Sequence, residues 1–205
     1  MNHPPRGVPI RPARNVALSG GEQRQAQWLP LNAPGILVMT DFDRTPVVTV
    51  EAGTQIDDAL RLMKHAGVRS AVVVDEHGAL LGLITAYDIL GDKPVRLLDA
   101  AGRRSAHNGR AGIDVAAIME PATRWQVIDV AELKRCTVAD VVETLRRLGR
   151  THVPVVERTA GGEDRLRGLL SSAEVARRTG ADTNGLRPAE TFAEIELAVH
   201  EGVLP

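Results

Sequence analysis

Gly82-Leu83-Ile84-Thr85-Ala86-Tyr87-Asp88 is the stretch on which the reading of this chain turns. Leu80, Leu81, Leu83 and Ile84 describe an apolar strand broken by one glycine, and Ala86 to Leu90 describe the first turns of a helix. Thr85 therefore falls at the helix start, where its hydroxyl can cap backbone N–H groups and the positive helix end favours an anion. Asp88 lies one turn in, on the same side. A carboxylate only accepts hydrogen bonds, so it suits a partner with two adjacent donors, such as the paired hydroxyls of a ribose. Taken alone, the same residues also describe a capped helix with a dipole-favoured aspartate.

Moving outward, the stretch closes an ordered series. Ile36 to Met39 begins order, and Pro46-Val47-Val48-Thr49-Val50 reads as a β-branched strand. A helix follows, with Thr54 as N-cap, Asp57 at the capping-box position and Ile56, Ala59, Leu60 and Met63 on one face. Gly67 ends it. Ala71-Val72-Val73-Val74 is a buried strand, and Asp75 to Gly78 turns the chain back into the quoted stretch.

The whole series then recurs. Trp125-Gln126-Val127-Ile128 is the second leading strand, and Thr137 with Asp140 caps a helix whose stripe is Val138, Val141, Val142, Leu145 and Leu148. Gly149 answers Gly67, and Val153-Pro154-Val155-Val156 answers the buried strand. Gly168-Leu169-Leu170-Ser171-Ser172-Ala173-Glu174 answers the quoted stretch, and Ile118-Met119 answers Val38-Met39. An internal repeat outweighs any single motif. The fold class expected is therefore α/β (α+β), built from two β-α-β-β-α repeats.

Composition narrows the partners. The 205 residues are 43% hydrophobic and 25% charged, ordinary for a globular protein. Aromatics are only 2%, too few for stacking platforms along single-stranded nucleic acid. The net charge of −1 creates no field for DNA or an anionic membrane, so a nucleic-acid partner is not expected. Cys136 is the only cysteine, which fits a reducing compartment. No apolar run approaches a membrane span, and the expected location is the cytoplasm. The six histidines show no metal-ligand spacing, and no nucleophile is paired with a base, so neither a metal nor catalysis is expected.

The expected organisation is an extended arm over 1–34, a first repeat over 36–92, a linker with a short helix and a mobile loop over 93–112, a second repeat over 113–180, and a linker and helix over 181–205. Six of the twelve prolines lie in the arm, with Trp28 and Leu29 as its bulky anchor.

Two copies of strand, helix, strand, strand, helix resemble a tandem pair of CBS domains, the Bateman module. Each copy closes on glycine, two variable residues, Thr or Ser, and an acid three residues later. The resemblance covers roughly 36–180. It implies that the repeats pack sheet against sheet about a pseudo-twofold axis and leave two clefts that take adenosyl ligands. In the first copy it implies that Thr85 approaches phosphate or ribose and Asp88 holds the ribose hydroxyls. In the second, Ser171 fits, but Glu174 stands where Asp or Asn belongs and is one methylene longer. Similarity to nucleotide-binding members, including the regulatory subunit of AMP-activated protein kinase, further implies phosphate contacts from Arg69-Ser70 and Thr151-His152, and an adenine contact from the Val127 backbone.

The function so implied is a regulatory or sensor module. Its ligand would be AMP, ADP, ATP or S-adenosylmethionine, with no cofactor required, and it would act on a partner the sequence does not name. A homodimer is expected, because apolar faces of the helices after Asp88 and Glu174 need cover. The competing reading is a structural or dimerisation protein with vestigial clefts.

Overall fold

The computed structural model describes residues 28–101 and 109–181, and over them it is an α/β protein with two four-stranded sheets. The arm before Trp28, the loop over 102–108 and the terminal helix expected over 189–201 lie outside the described residues. The chain runs through β1 (Met39–Asp41), β2 (Thr49–Glu51), α1 (Ile56–Ala66), β3 (Ser70–Val74), β4 (Leu80–Thr85), α2 (Ala86–Leu90) and the linker helix α3 (Lys93–Ala101). It continues through α4 (Val115–Ile118), β5 (Glu120–Pro121), β6 (Ile128–Asp129), α5 (Val130–Arg135), α6 (Val138–Leu148), β7 (His152–Arg158), β8 (Asp164–Ser171) and α7 (Ser172–Thr179).

The sheets are ordered β2-β3-β4-β5 and β1-β8-β7-β6, so each repeat takes its fourth strand from the segment that precedes the other repeat. β5 lies antiparallel to β4, with Gly82 opposite Pro121, and β1 lies antiparallel to β8, with Asp41 opposite Gly168. The same exchange extends to the helix starts. Ile56 N–H donates to the Ile113 carbonyl and Val115 N–H to that of Thr54. Correspondingly, Val138 N–H donates to the Ala33 carbonyl and Gly35 N–H to that of Cys136.

Burial follows the exchange. One core joins Ile56, Met63, Val73 and Ile84 to Ile113, Val115 and Ile118 from the following linker. The other joins Leu133, Val138, Leu145 and Leu170 to Val38 and Met39 from the first segment. A third, small cluster of Val72, Leu83 and Leu169 sits where the sheets face each other. Strands covered on both faces explain why the sequence shows continuous apolar runs rather than alternation. The N-terminal segment is drawn in too: Leu29 N–H donates to the Arg178 carbonyl and packs on the second core, while Trp28, 71% exposed, lies over Gly180.

Several sequence expectations shift. Helix α6 has the expected capping box between Thr137 and Asp140, but α1 starts from Gln55 rather than Thr54, with no side-chain cap. The backbone bridge between Gln55 and Asp114 and the Gln55–Asp114 side-chain hydrogen bond set that start, and Asp57 is turned aside to Arg110 at 2.8 Å. The leading strands are shorter and later than expected. Trp125 follows a 3-10 turn, and only Ile128 and Asp129 pair. The apolar residues of α2 and α7 are also not left bare: Ile89 and Val175 are buried, and Tyr87 and Leu90 pack on the first core.

The two motif glycines are required by the exchange. A Cβ on Gly82 would run into the Glu120 carbonyl, and one on Gly168 would fall 2.5 Å from the Thr40 oxygen. Gly82→Ala and Gly168→Ala should each lower stability by about 1–3 kcal/mol in denaturant unfolding. Gly53→Ala, with no atom within 4 Å of its Cβ, should stay within about 0.5 kcal/mol.

Candidate functional site: two clefts between the repeats

Both clefts grow from one local device, a strand end that becomes a helix start beside the turn leading into its neighbouring strand. In the first repeat Thr85 ends β4 opposite Ser70, and Ala86 N–H donates to the Arg69 carbonyl at 2.8 Å. In the second, Ser171 ends β8 opposite His152, and Ser172 N–H donates to the Thr151 carbonyl at 2.9 Å.

At the first strand end Thr85 and Asp88 form a capping box. Asp88 N–H donates to Thr85 Oγ1 at 3.2 Å, while Thr85 N–H and Oγ1–H donate to Asp88 Oδ2 at 2.8 and 2.7 Å. The other oxygen, Oδ1, accepts from Lys93 Nζ at 2.5 Å, and the same ammonium donates to the Ile118 carbonyl at 3.1 Å. This carboxylate forms part of a cleft of about 360 Å³ lined also by Tyr87, Asp92, Arg96, Glu120 and Gly149 to His152. Its cations are distributed in pairs, Lys93 with Asp88, Arg96 with Asp92 and Arg150 with Glu120.

The second cleft, of about 200 Å³, combines Ser171 and Glu174 with Thr40, Phe42, Thr45 to Val48 and Gly67 to Ser70. Here the capping box fails. Ser171 makes no side-chain cap, and the longer Glu174 is held by Arg177 of its own helix in a two-pronged pair at 2.9 and 2.6 Å.

The sequence-predicted residues are therefore divided. Thr85 and Asp88 line the first cleft, Arg69, Ser171 and Glu174 line the second, and His152 and Leu83 line both. Val127 lines neither and is 44% exposed. His152, an expected phosphate contact of the second repeat, is a buried residue. It is 9% exposed, and burial pushes its pKa down to about 4, with Asp88 opposing and Arg69 assisting the shift. It is a neutral hydrogen-bonding group near neutral pH, its Nδ1 3.0 Å from Thr151 Oγ1. Sequence reading missed Lys93, Arg150 and Glu120. Lys93 follows Asp88 by five residues, off the helical period, and Glu120 arrives only through the strand exchange.

A family model for the CBS domain matches residues 38–92, the first repeat. The second repeat reproduces its strand order and the position of its motif glycine. The first repeat is a CBS domain. The chain is 36% identical over 61 residues, 30% of its length, to a Methanopyrus kandleri protein described as uncharacterised. It is 28% identical over 110 residues, 50% of its length, to the inosine-5'-monophosphate dehydrogenase of Mycobacterium leprae. These matches span 31% and 21% of the relatives' own lengths. Among solved structures it is similar to the Arabidopsis thaliana CBS-pair protein CBSX2, crystallised in complex with AMP, at 26% identity and a TM-score of 0.46, over 71% of this chain and 93% of that one.

The depressed His152 pKa has a definite sign. The unfolded imidazole, at about 6.5, binds more protons than the folded one at about 4, so the stability it contributes is complete above 6.5 and lost as pH falls towards 4. Wild type should lose on the order of 2–3 kcal/mol relative to His152→Gln across that window in unfolding measured at stepped pH.

Proposed function

We propose that the tandem CBS module is a regulatory unit that binds an adenine nucleotide, or a related adenosyl compound such as S-adenosylmethionine, in the Asp88 cleft. One observation carries this reading: the Asp88 carboxylate shares a cleft with Lys93, Arg96 and Arg150. The carboxylate supplies acceptors for a vicinal diol, and the cations supply charge for phosphate. The hydrogen-bonded Thr151–His152 pair adds one neutral donor from the second repeat, and CBSX2, a protein of similar sequence, was crystallised with AMP.

The Glu174 cleft is the weaker site in this proposal, since its carboxylate is held in a two-pronged pair by Arg177. Arg69 would serve phosphate there, and His152 would face ligand from either side. Val127 supplies no adenine contact in this arrangement. Regulation would follow from ligand preference for one packing of the repeats, read by a partner protein.

Thermal unfolding with AMP, ADP, ATP or S-adenosylmethionine tests the ligand class. A ligand at 100 times its dissociation constant adds about 2.7 kcal/mol, which for a chain of this size raises the midpoint by about 5–10 °C. Asp88→Ala should abolish the shift, and Glu174→Ala should leave most of it. No shift with any of the four compounds would overturn the assignment.

We also infer a homodimer. With the apolar residues of α2 and α7 packed inside their own repeats, the exposed apolar side chains left to join two copies include Leu62 on α1, 40% exposed, and Val95 on α3, 57% exposed. Sedimentation at micromolar concentration should give a dimer that Leu62→Asp weakens, and a wild-type monomer would contradict it.

A further inference from the structure

Asp88 presents about four lone-pair directions on its two oxygens. Three are taken, by Thr85 N–H, by Thr85 Oγ1–H and by Lys93 Nζ. A vicinal diol needs two acceptor positions, so one of the three donors has to leave before both hydroxyls can bind. The Thr85 amide is fixed at the end of β4, and the Thr85 oxygen is held at the helix start by Asp88 N–H, 2.7 Å from Oδ2, where turning its proton away would set lone pairs of two oxygens against each other. Lys93 is different: its ammonium sits at the end of a flexible four-carbon stem and its side chain is 44% exposed, against 16% for Asp88.

Displaced from Asp88, the ammonium stays in a cleft whose other two cations are already partnered, Arg96 by Asp92 and Arg150 by Glu120. A neutral nucleoside would take the carboxylate and leave Lys93 with the Ile118 carbonyl alone. A phosphorylated one would take the carboxylate and offer Lys93 a new anion in the same cleft. In the second cleft the motif acid is held instead in a two-pronged pair by Arg177 of its own helix, which does not line the cleft. Thr179 stands five residues after Glu174, and its hydroxyl donates to the Val175 carbonyl at 2.7 Å.

Resting on the nucleotide reading above, we propose that Lys93 is the specificity-determining residue of the Asp88 cleft: it competes with ligand hydroxyls for the carboxylate and passes to the ligand's phosphate, so the cleft selects nucleotides over the bare nucleoside. A residue that only braced the fold would weaken both ligands alike. An exchanging lysine moves them in opposite directions, because its removal ends competition for the diol and also ends its contact with phosphate.

Calorimetric titration of AMP and adenosine into wild type, Lys93→Met and Lys93→Arg tests this. Wild type should prefer AMP. Lys93→Met should bind adenosine about 3–10-fold more tightly than wild type does, and its preference for AMP should fall about tenfold, the scale of one hydrogen bond to a charged group. Lys93→Arg should keep most of the preference. Lys93→Gln, polar and of similar length, should repeat the Lys93→Met result should the apolar variant prove unstable. An AMP-to-adenosine ratio in Lys93→Met within twofold of wild type would overturn the proposal while leaving nucleotide binding intact. Binding that survives Asp88→Ala with its preference unchanged would also overturn it, by placing the ligand elsewhere. Failure of wild type to bind either compound would overturn the nucleotide reading and this proposal together.

Discussion

The close approach of Gly82 to Glu120 and of Gly168 to Thr40 is the contact on which the rest of this molecule depends. A strand that precedes one repeat lies against the last strand of the other, and in each case a glycine removes the side chain that would hold the backbones apart. Around those contacts the exchange is completed by backbone pairing at the starts of α1 and α6 and by Ile113, Val115 and Ile118 on one side, Val38 and Met39 on the other. Neither core is closed by residues of its own repeat alone. Burying a large aliphatic side chain contributes about 1.5–3 kcal/mol, so the exchanged residues supply a share of stability that neither repeat can replace from within.

The clefts inherit their composition from this exchange. Glu120 comes to the Asp88 cleft on β5, and Thr40 comes to the Glu174 cleft on β1. Each cleft therefore has walls from both repeats, and a ligand that spans it reads the fit between them. His152 and Leu83 make the common wall, so the clefts share side chains as well as a symmetry. The symmetry is broken at the carboxylate. Asp88 closes a capping box with Thr85, whereas Glu174 reaches past Ser171 to Arg177. One methylene separates a carboxylate held in the cleft wall from one committed to its own helix.

Much of this was legible in the sequence because it is local or periodic. The repeat, the α6 capping box, the left-handed glycines that end α1 and α6, and the division between a regular and an altered motif copy all follow from residue type and spacing. What was not legible is set by contacts between segments distant in the chain. Thr54 looks like an N-cap, yet pairing with the segment around Asp114 moves the helix start to Gln55. Glu120 and Arg150 meet across 30 residues, and no local pattern announces them. The burial of His152 at the start of β7 is set by tertiary packing that residue type and spacing do not announce. The motif glycine reads as a break in an apolar strand, and only the approach of a strand from the other repeat shows why a side chain is excluded there.

Native-state hydrogen exchange on wild type and Gly82→Ala tests the central claim that exchange makes the two repeats one cooperative unit. Loosening the β4–β5 contact should lower the opening free energy of β3 and β4 and, by the same amount, that of β7 and β8 in the other repeat. Loss of protection confined to the first repeat, with β7 and β8 unchanged, would contradict the account.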